Sequence, residues 1–183
     1  MALGANLSGQ LGPPEATIMA AIAAFGAEGL GLRRLSRFYA NPCFPKGMGP
    51  DFVNAVAVAD TADLGGDAVA VLAALHRIEA RFGRARSTRW AGRVLDLDLL
   101  ALGGRIFPDP EKQAEWRALP LGIQQSVAPE ELILPHPRLQ DRAFVLVPMR
   151  DVAPGWHHPA TGCDVTGMLA ALPAAAVAEV IPM

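Results

Sequence analysis

Two cysteines in 183 residues, Cys43 and Cys163, are too few for a disulfide framework and lack the spacing of metal ligands. They read as thiols in a reducing cytosol. Long hydrophobic runs are also missing. The Ala-rich stretches 20–24 and 170–178 fall short of a membrane span, and Pro173 interrupts the second. No basic flank precedes an apolar core near Met1, so no signal peptide is expected and the chain is assigned to the cytoplasm. Charge of one sign is absent too. Sixteen Lys and Arg against eighteen Asp and Glu give a formal charge of -2, which argues against bulk electrostatic binding to nucleic acid or membrane. What the chain does have is apolar mass: 51% hydrophobic side chains against 19% charged, enough for one globular domain over 1–183 without a staple.

The pattern along the chain is mixed. A short apolar strand stub at 1–3 ends at Gly4. Pro13, Pro14 and Glu15 then open an Ala-rich helix that stops near Gly26. A strand is expected at 32–39 and another at 52–59, where alternation puts Phe52, Asn54, Val56 and Val58 on one face. Between them, Pro42, Pro45, Gly47, Gly49 and Pro50 enforce a loop. The spacing of Val71, Leu72, Leu75, Ile78 and Phe82 predicts a helix over 67–82, and 94–102 reads as the clearest strand. Residues 109–131, polar and carrying Pro110, Pro120 and Pro129, read as an inserted loop with one weak helical turn near Glu115. Short elements are expected at 132–134 and 144–147, a helix at 165–172 and an edge strand at 177–181. This order is that of an α+β ferredoxin-like sandwich, an antiparallel sheet with helices on one face plus extra C-terminal elements. The other face is expected to stay open for function.

Chemistry concentrates in a few stretches. In Leu95-Asp96-Leu97-Asp98-Leu99 the leucines go inward and the two carboxylates share the opposite face, about 7 Å apart. Like charges so placed call for cations, and hard Mg²⁺ suits them. A solvated strand face bearing two incidental acids is the alternative. Just upstream lie Arg84, Arg86, Arg89 and Arg93 with Trp90, and guanidinium forks match phosphate oxygens. Read without the acids, this stretch is an exposed basic loop or a stacking platform for single-stranded nucleic acid. Pro135-His136-Pro137-Arg138 and Arg142 form a third group, with Phe144 beside it. His136 and Arg142 suit phosphate, although His136 alone reads equally as a turn histidine and Phe144 as core. His157 and His158 have no ligand partners at zinc spacing and read as a solvated turn.

Taken in order, Gly4-Ala5-Asn6-Leu7, Phe38-Tyr39 with Pro42, Asp51-Phe52-Val53-Asn54, Arg77-Ile78-Glu79, Gly83-Arg84-Ala85-Arg86, Arg89-Trp90, the Arg93-to-Asp98 block, and Leu134-Pro135-His136-Pro137-Arg138 with Arg142 to Leu146 resemble the 6-hydroxymethyl-7,8-dihydropterin pyrophosphokinases of folate biosynthesis. The resemblance runs from Leu3 to about Pro154. It implies transfer of the β,γ-pyrophosphoryl unit of ATP to the pterin hydroxymethyl oxygen, with AMP released. It also implies two Mg²⁺ ions on Asp96 and Asp98, catalytic roles for Arg84 and Arg93 as well as for the two acids, and ATP contacts from Arg84, Arg86, Trp90, Arg93, His136 and Arg142. For the pterin it implies Asn41, Pro42, Phe44, Phe52, Asn54, Trp90 and Phe144. A monomer with small-molecule substrates and no nucleic-acid or membrane partner is expected. Glu131 and Ile133 stand where some members place polar or basic ATP contacts, so adenosine binding is expected to rely more on backbone groups. Two competitors stand beside this reading: a binding module without turnover, and an RNA-binding sandwich. The central strands lack the aromatic pairs on which the latter stacks bases.

Overall fold

The computed structural model describes residues 1–43, 46–82 and 93–183. Six strands form one antiparallel sheet: β1 (Ala2–Ala5), β2 (Gly31–Leu35), β3 (Tyr39–Asn41), β4 (Phe52–Asp60), β5 (Asp96–Asp98) and β6 (Ile181–Pro182). Their order is β5-β1-β4-β3-β6, with β2 continuing the β3 side of β4. With β2 and β3 counted as one interrupted strand, this is the split ferredoxin-like arrangement.

The interruption corrects the expected single strand at 32–39. Ser36 leaves the ladder while keeping β4 satisfied: its N–H donates to the Val56 carbonyl at 2.9 Å and its hydroxyl accepts the Val56 N–H at 2.9 Å. β5 is likewise shorter than the expected 94–102. Strand β1 pairs only with Asp96, Leu97 and Asp98, and the flanks are taken by loops, Arg93 by Asn6 and Leu100 by the His136 N–H.

Helices α1 (Pro14–Ala23) and α2 (Ala68–Arg81) cover one face. Asp67 caps α2 by accepting the Val69 N–H at 3.1 Å. Its buried stripe, Val71, Ala74, Leu75 and Ile78, meets Leu3, Ala5, Val53, Ala55, Ala57 and Leu97 in a closed core. The opposite face is not left open as expected. The residues read as a short element at 144–147 belong to a helix spanning Ala143–Val152, which packs with the 165–171 helix on Tyr39, Val56 and Leu100. Only the half of that face nearer Asn54 and Asp96 remains free.

The segment 109–131 is not a loop but two helices, α3 (Pro110–Ala118) and α4 (Leu121–Ser126). Asp109 accepts the Lys112 N–H at 2.9 Å, Pro110 occupies the first turn, and Pro120 is the N-cap of α4. Each proline thus sits where it costs no hydrogen bond. The two helices on the far face are α5 (Ala143–Val152) and α6 (Val165–Ala171), and α7 (Ala174–Ala178) takes part of the expected 177–181 strand, leaving β6 paired with β3. His158, read as solvated, is fully buried: its Nδ1 accepts the Ala160 N–H at 3.2 Å and Trp156 meets it edge-on. No helix among the described residues is long and apolar enough to cross a membrane.

One polar knot ties α5 to the sheet. Asp151 accepts from Arg37 Nη2 at 2.9 Å, Arg37 Nε at 3.0 Å and the buried Tyr39 hydroxyl at 2.8 Å. The Arg37 hydrogen bond holds the Asp151 carboxyl below the ordinary carboxylate range, with burial opposing and Tyr39 assisting. Asp151→Ala leaves a buried phenol without its acceptor, so a loss of about 2–3 kcal/mol is expected in urea unfolding. Because the native pKa is lowered, this contribution is present above the unfolded value and lost as pH falls through the native one. Parent and variant should therefore converge only below about pH 4; a gap that closes on raising the pH would contradict the assignment.

Candidate active site

The free half of the sheet floors a cavity of about 1300 Å³. Its floor is set by register. Asn54 on β4, Gly4 on β1 and Asp96 on β5 lie side by side in one row, and Val56, Ala2 and Asp98 form the next. Alternation therefore puts both carboxylates and Asn54 on the same face while Leu97 points into the core at 2% exposure. Gly4 is tightly placed here: a Cβ would stand 3.0 Å from Asn54 Oδ1, so the amide would have to give by a few tenths of an ångström.

Every described residue of the expected set lines this cavity: Asn41, Pro42, Phe52, Asn54, Arg93, Asp96, Asp98, His136, Arg142 and Phe144. Phe44, Arg84, Arg86 and Trp90 lie outside the described residues. The two acids are each matched with a cation. Arg93 Nη1 donates to Asp96 Oδ2, and Arg142 Nη1 donates to Asp98 Oδ2 at 3.2 Å. Arg142 also lies over the Phe144 ring, 5.7 Å from its centroid, so one guanidinium links Asp98 to the aromatic wall. At the other end, Asn54 Nδ2 donates to Asn41 Oδ1 and Asn41 Nδ2 to the Pro42 carbonyl at 2.9 Å. This orients both amides.

His136 is neutral at physiological pH. Desolvation pushes its pKa down to about 4, with the Arg142 cation acting in the same direction and Asp98 opposing. Its Nδ1 accepts the Arg138 N–H at 3.1 Å, which assigns the ring proton to Nε2 and makes His136 a neutral donor rather than a cationic clamp.

Three further residues shape the site. Glu79, 1% exposed, accepts the Leu97 N–H at 2.7 Å between the two aspartates. Asn6 accepts the Arg93 N–H at 2.7 Å and donates to the Pro50 carbonyl at 3.1 Å, joining the loop over the amide end to the approach to Arg93. Both stand in the motifs that carry the resemblance, but their roles needed the fold. Trp116, on the supposed insertion, also reaches the cavity wall, and nothing in its polar sequence context signalled that.

Two acids flanked by cations on a sheet, beside an aromatic and amide slot, define a phosphotransferase-type site on a ferredoxin-like scaffold. The chain belongs to the 7,8-dihydro-6-hydroxymethylpterin-pyrophosphokinase family, whose sequence model matches residues 1–154. Relatives named 2-amino-4-hydroxy-6-hydroxymethyldihydropteridine pyrophosphokinase include that of Pseudomonas aeruginosa, 36% identical over 94% of this chain and 90% of the relative. That of Synechocystis is 31% identical over 97% of this chain and 79% of the relative, and that of Haemophilus influenzae 34% identical over 84% and 79%.

Proposed function

We propose that this chain transfers the pyrophosphoryl group of ATP to 6-hydroxymethyl-7,8-dihydropterin. The hydroxymethyl oxygen attacks the β-phosphorus, the bond from that phosphorus to the α-phosphate oxygen breaks, the hydroxyl proton is lost, and AMP leaves. The observation that carries the reading is the row Asn54–Gly4–Asp96. A heterocycle held by the Asn54 and Asn41 amides lies two strand spacings, about 10 Å, from the acids, with only the bare backbone of Gly4 between them.

The donor set fits a hard divalent cation: Asp96 and Asp98 offer carboxylate oxygens from one strand face. Among the described residues no three or more His, Cys, Asp or Glu side chains gather as metal ligands, so the remaining oxygens would come from substrate phosphates and water. Two Mg²⁺ ions held by Asp96 and Asp98 would supply charge neutralisation on the triphosphate. The protein's own contribution is positional. Arg93 and Arg142 exchange carboxylate for phosphate partners, His136 donates a neutral hydrogen bond, and Phe52 and Phe144 border the ring slot. Arg84, Arg86, Trp90, Phe44 and Pro42 complete the proposed set. The same reading expects a monomer working in the cytoplasm without nucleic acid, in keeping with the near-neutral charge.

Incubated with ATP, Mg²⁺ and the hydroxymethyl pterin, the chain is expected to form AMP and pterin diphosphate in equal amounts. EDTA should stop the reaction and excess Mg²⁺ restore it. Formation of ADP in place of AMP, or binding of both substrates without product, would reject the reading.

A further inference from the structure

Helices α3 and α4 are fastened to the site. Gln113, fully buried, donates from Nε2 to the Pro135 carbonyl at 3.2 Å, next to His136, and accepts from Arg117 Nη1 at 3.2 Å. Gln124 Nε2 closes the turn between the helices by donating to the Trp116 and Leu119 carbonyls at 2.8 and 3.0 Å. Trp116 stands three residues after Gln113, hence on the same side of α3. It lines the cavity together with Leu72, Leu132 and Ile133.

The sheet order tells which end of the cavity this is. Asn41 and Asn54 lie on β3 and β4, whereas the acids lie on β5 at the far edge. The His136 N–H donates to the Leu100 carbonyl at 2.8 Å, two residues beyond β5, so the segment that anchors α3 borders β5 and not the amide end. A triphosphate over Asp96 and Asp98, with the pterin on the Asn54 side, must carry its nucleoside away from β4. That direction leads to residues 132–136 and α3.

We propose that Trp116 is the base-packing residue of the nucleotide subsite. Its indole, on the cavity that Leu72, Leu132 and Ile133 also line, supplies the flat apolar wall against which the purine lies. The inference rests on the transfer reading above. It adds a side chain to the expectation that adenosine binding relies more on backbone groups. It also gives the 109–131 segment a role, that of bringing an aromatic face to a pocket whose lining residues Glu131 and Ile133 are acidic and apolar. Recognition here is by stacking, which is sequence-tolerant and needs no hydrogen-bond code.

The test compares binding of the Mg²⁺ complexes of α,β-methylene-ATP and of inorganic tripolyphosphate, which lacks the base, by calorimetry on the full chain. The parent should prefer the nucleotide by about tenfold or more. Trp116→Leu should lose most of that preference with tripolyphosphate affinity unchanged, and Trp116→Phe should retain it. In turnover, Trp116→Leu should raise KM for ATP and leave KM for the pterin unchanged. Should Trp116→Leu misfold, the parent and Trp116→Phe are compared by tryptophan emission: the analogue should quench the parent more than Trp116→Phe, and tripolyphosphate should quench the two alike. An unchanged preference in Trp116→Leu, or equal quenching of the parent and Trp116→Phe by the analogue, overturns the proposal. A parent that makes no AMP yet shows the Trp116-dependent preference overturns the transfer reading and leaves this subsite standing.

Discussion

Asp96→Ala and Asp98→Ala are each expected to lower the rate of AMP formation by about 10²- to 10³-fold, since charge stabilisation of several kcal/mol is lost and each 1.36 kcal/mol is tenfold. The melting temperature should move by only about 2–4 °C. The asymmetry follows from placement. Both carboxylates line the cavity from its sheet floor, with side chains 18% and 37% exposed, and each is paired with an arginine that water can serve once the acid is gone. Leu97 between them, which is core, keeps the strand in place. Asparagine at either position retains shape and loses charge, so Asp96→Asn and Asp98→Asn should match the alanine variants in rate. Parental turnover in all four proteins would sink the metal assignment; a rate loss that tracks the fraction unfolded would make the acids structural.

Asn54→Ala should raise KM for the pterin about ten- to a hundredfold, the cost of leaving polar edges unpaired in a dry pocket, while KM for ATP stays near parental. Asn54 is 7% exposed, and its amide is oriented by its hydrogen bond to Asn41. Its remaining hydrogen-bonding capacity faces the cavity that it lines. The complementary result from the acid variants, loss of rate with pterin binding kept, would separate the two ends of the site. A rise in both KM values together would instead mean that the amide supports the sheet and not the ring slot.

Much of this was legible from alternation and capping. The run 52–59 declared which face Asn54 shares with Val56, and Leu95 to Leu99 declared which way both acids point; the register agrees with both. Asp67 and the apolar stripe of α2 marked that helix to within a residue. What escaped was held by interactions that leave no periodic trace. Helices α3 and α4 are fastened by glutamine side chains bonding to backbone carbonyls, so their sequences read as polar connection. Helix α5 carries Pro148 inside it, a residue that normally ends a helix, and apolar packing on Tyr39 and Val56 outweighs the lost hydrogen bond. Strand β5 looked longer because Leu99, Leu100 and Leu102 continue its apolar run, yet a strand extends only as far as its neighbour can bond to it.

Gly4 takes no part in any step, yet it is a tight spot in the floor of the cleft. A methyl there would press on Asn54 Oδ1 and shift the amide proposed to hold the ring by a few tenths of an ångström. Mutational tolerance in the proposed pocket thus depends on clearance as well as on reactivity: between the amide and the acids the floor is bare main chain.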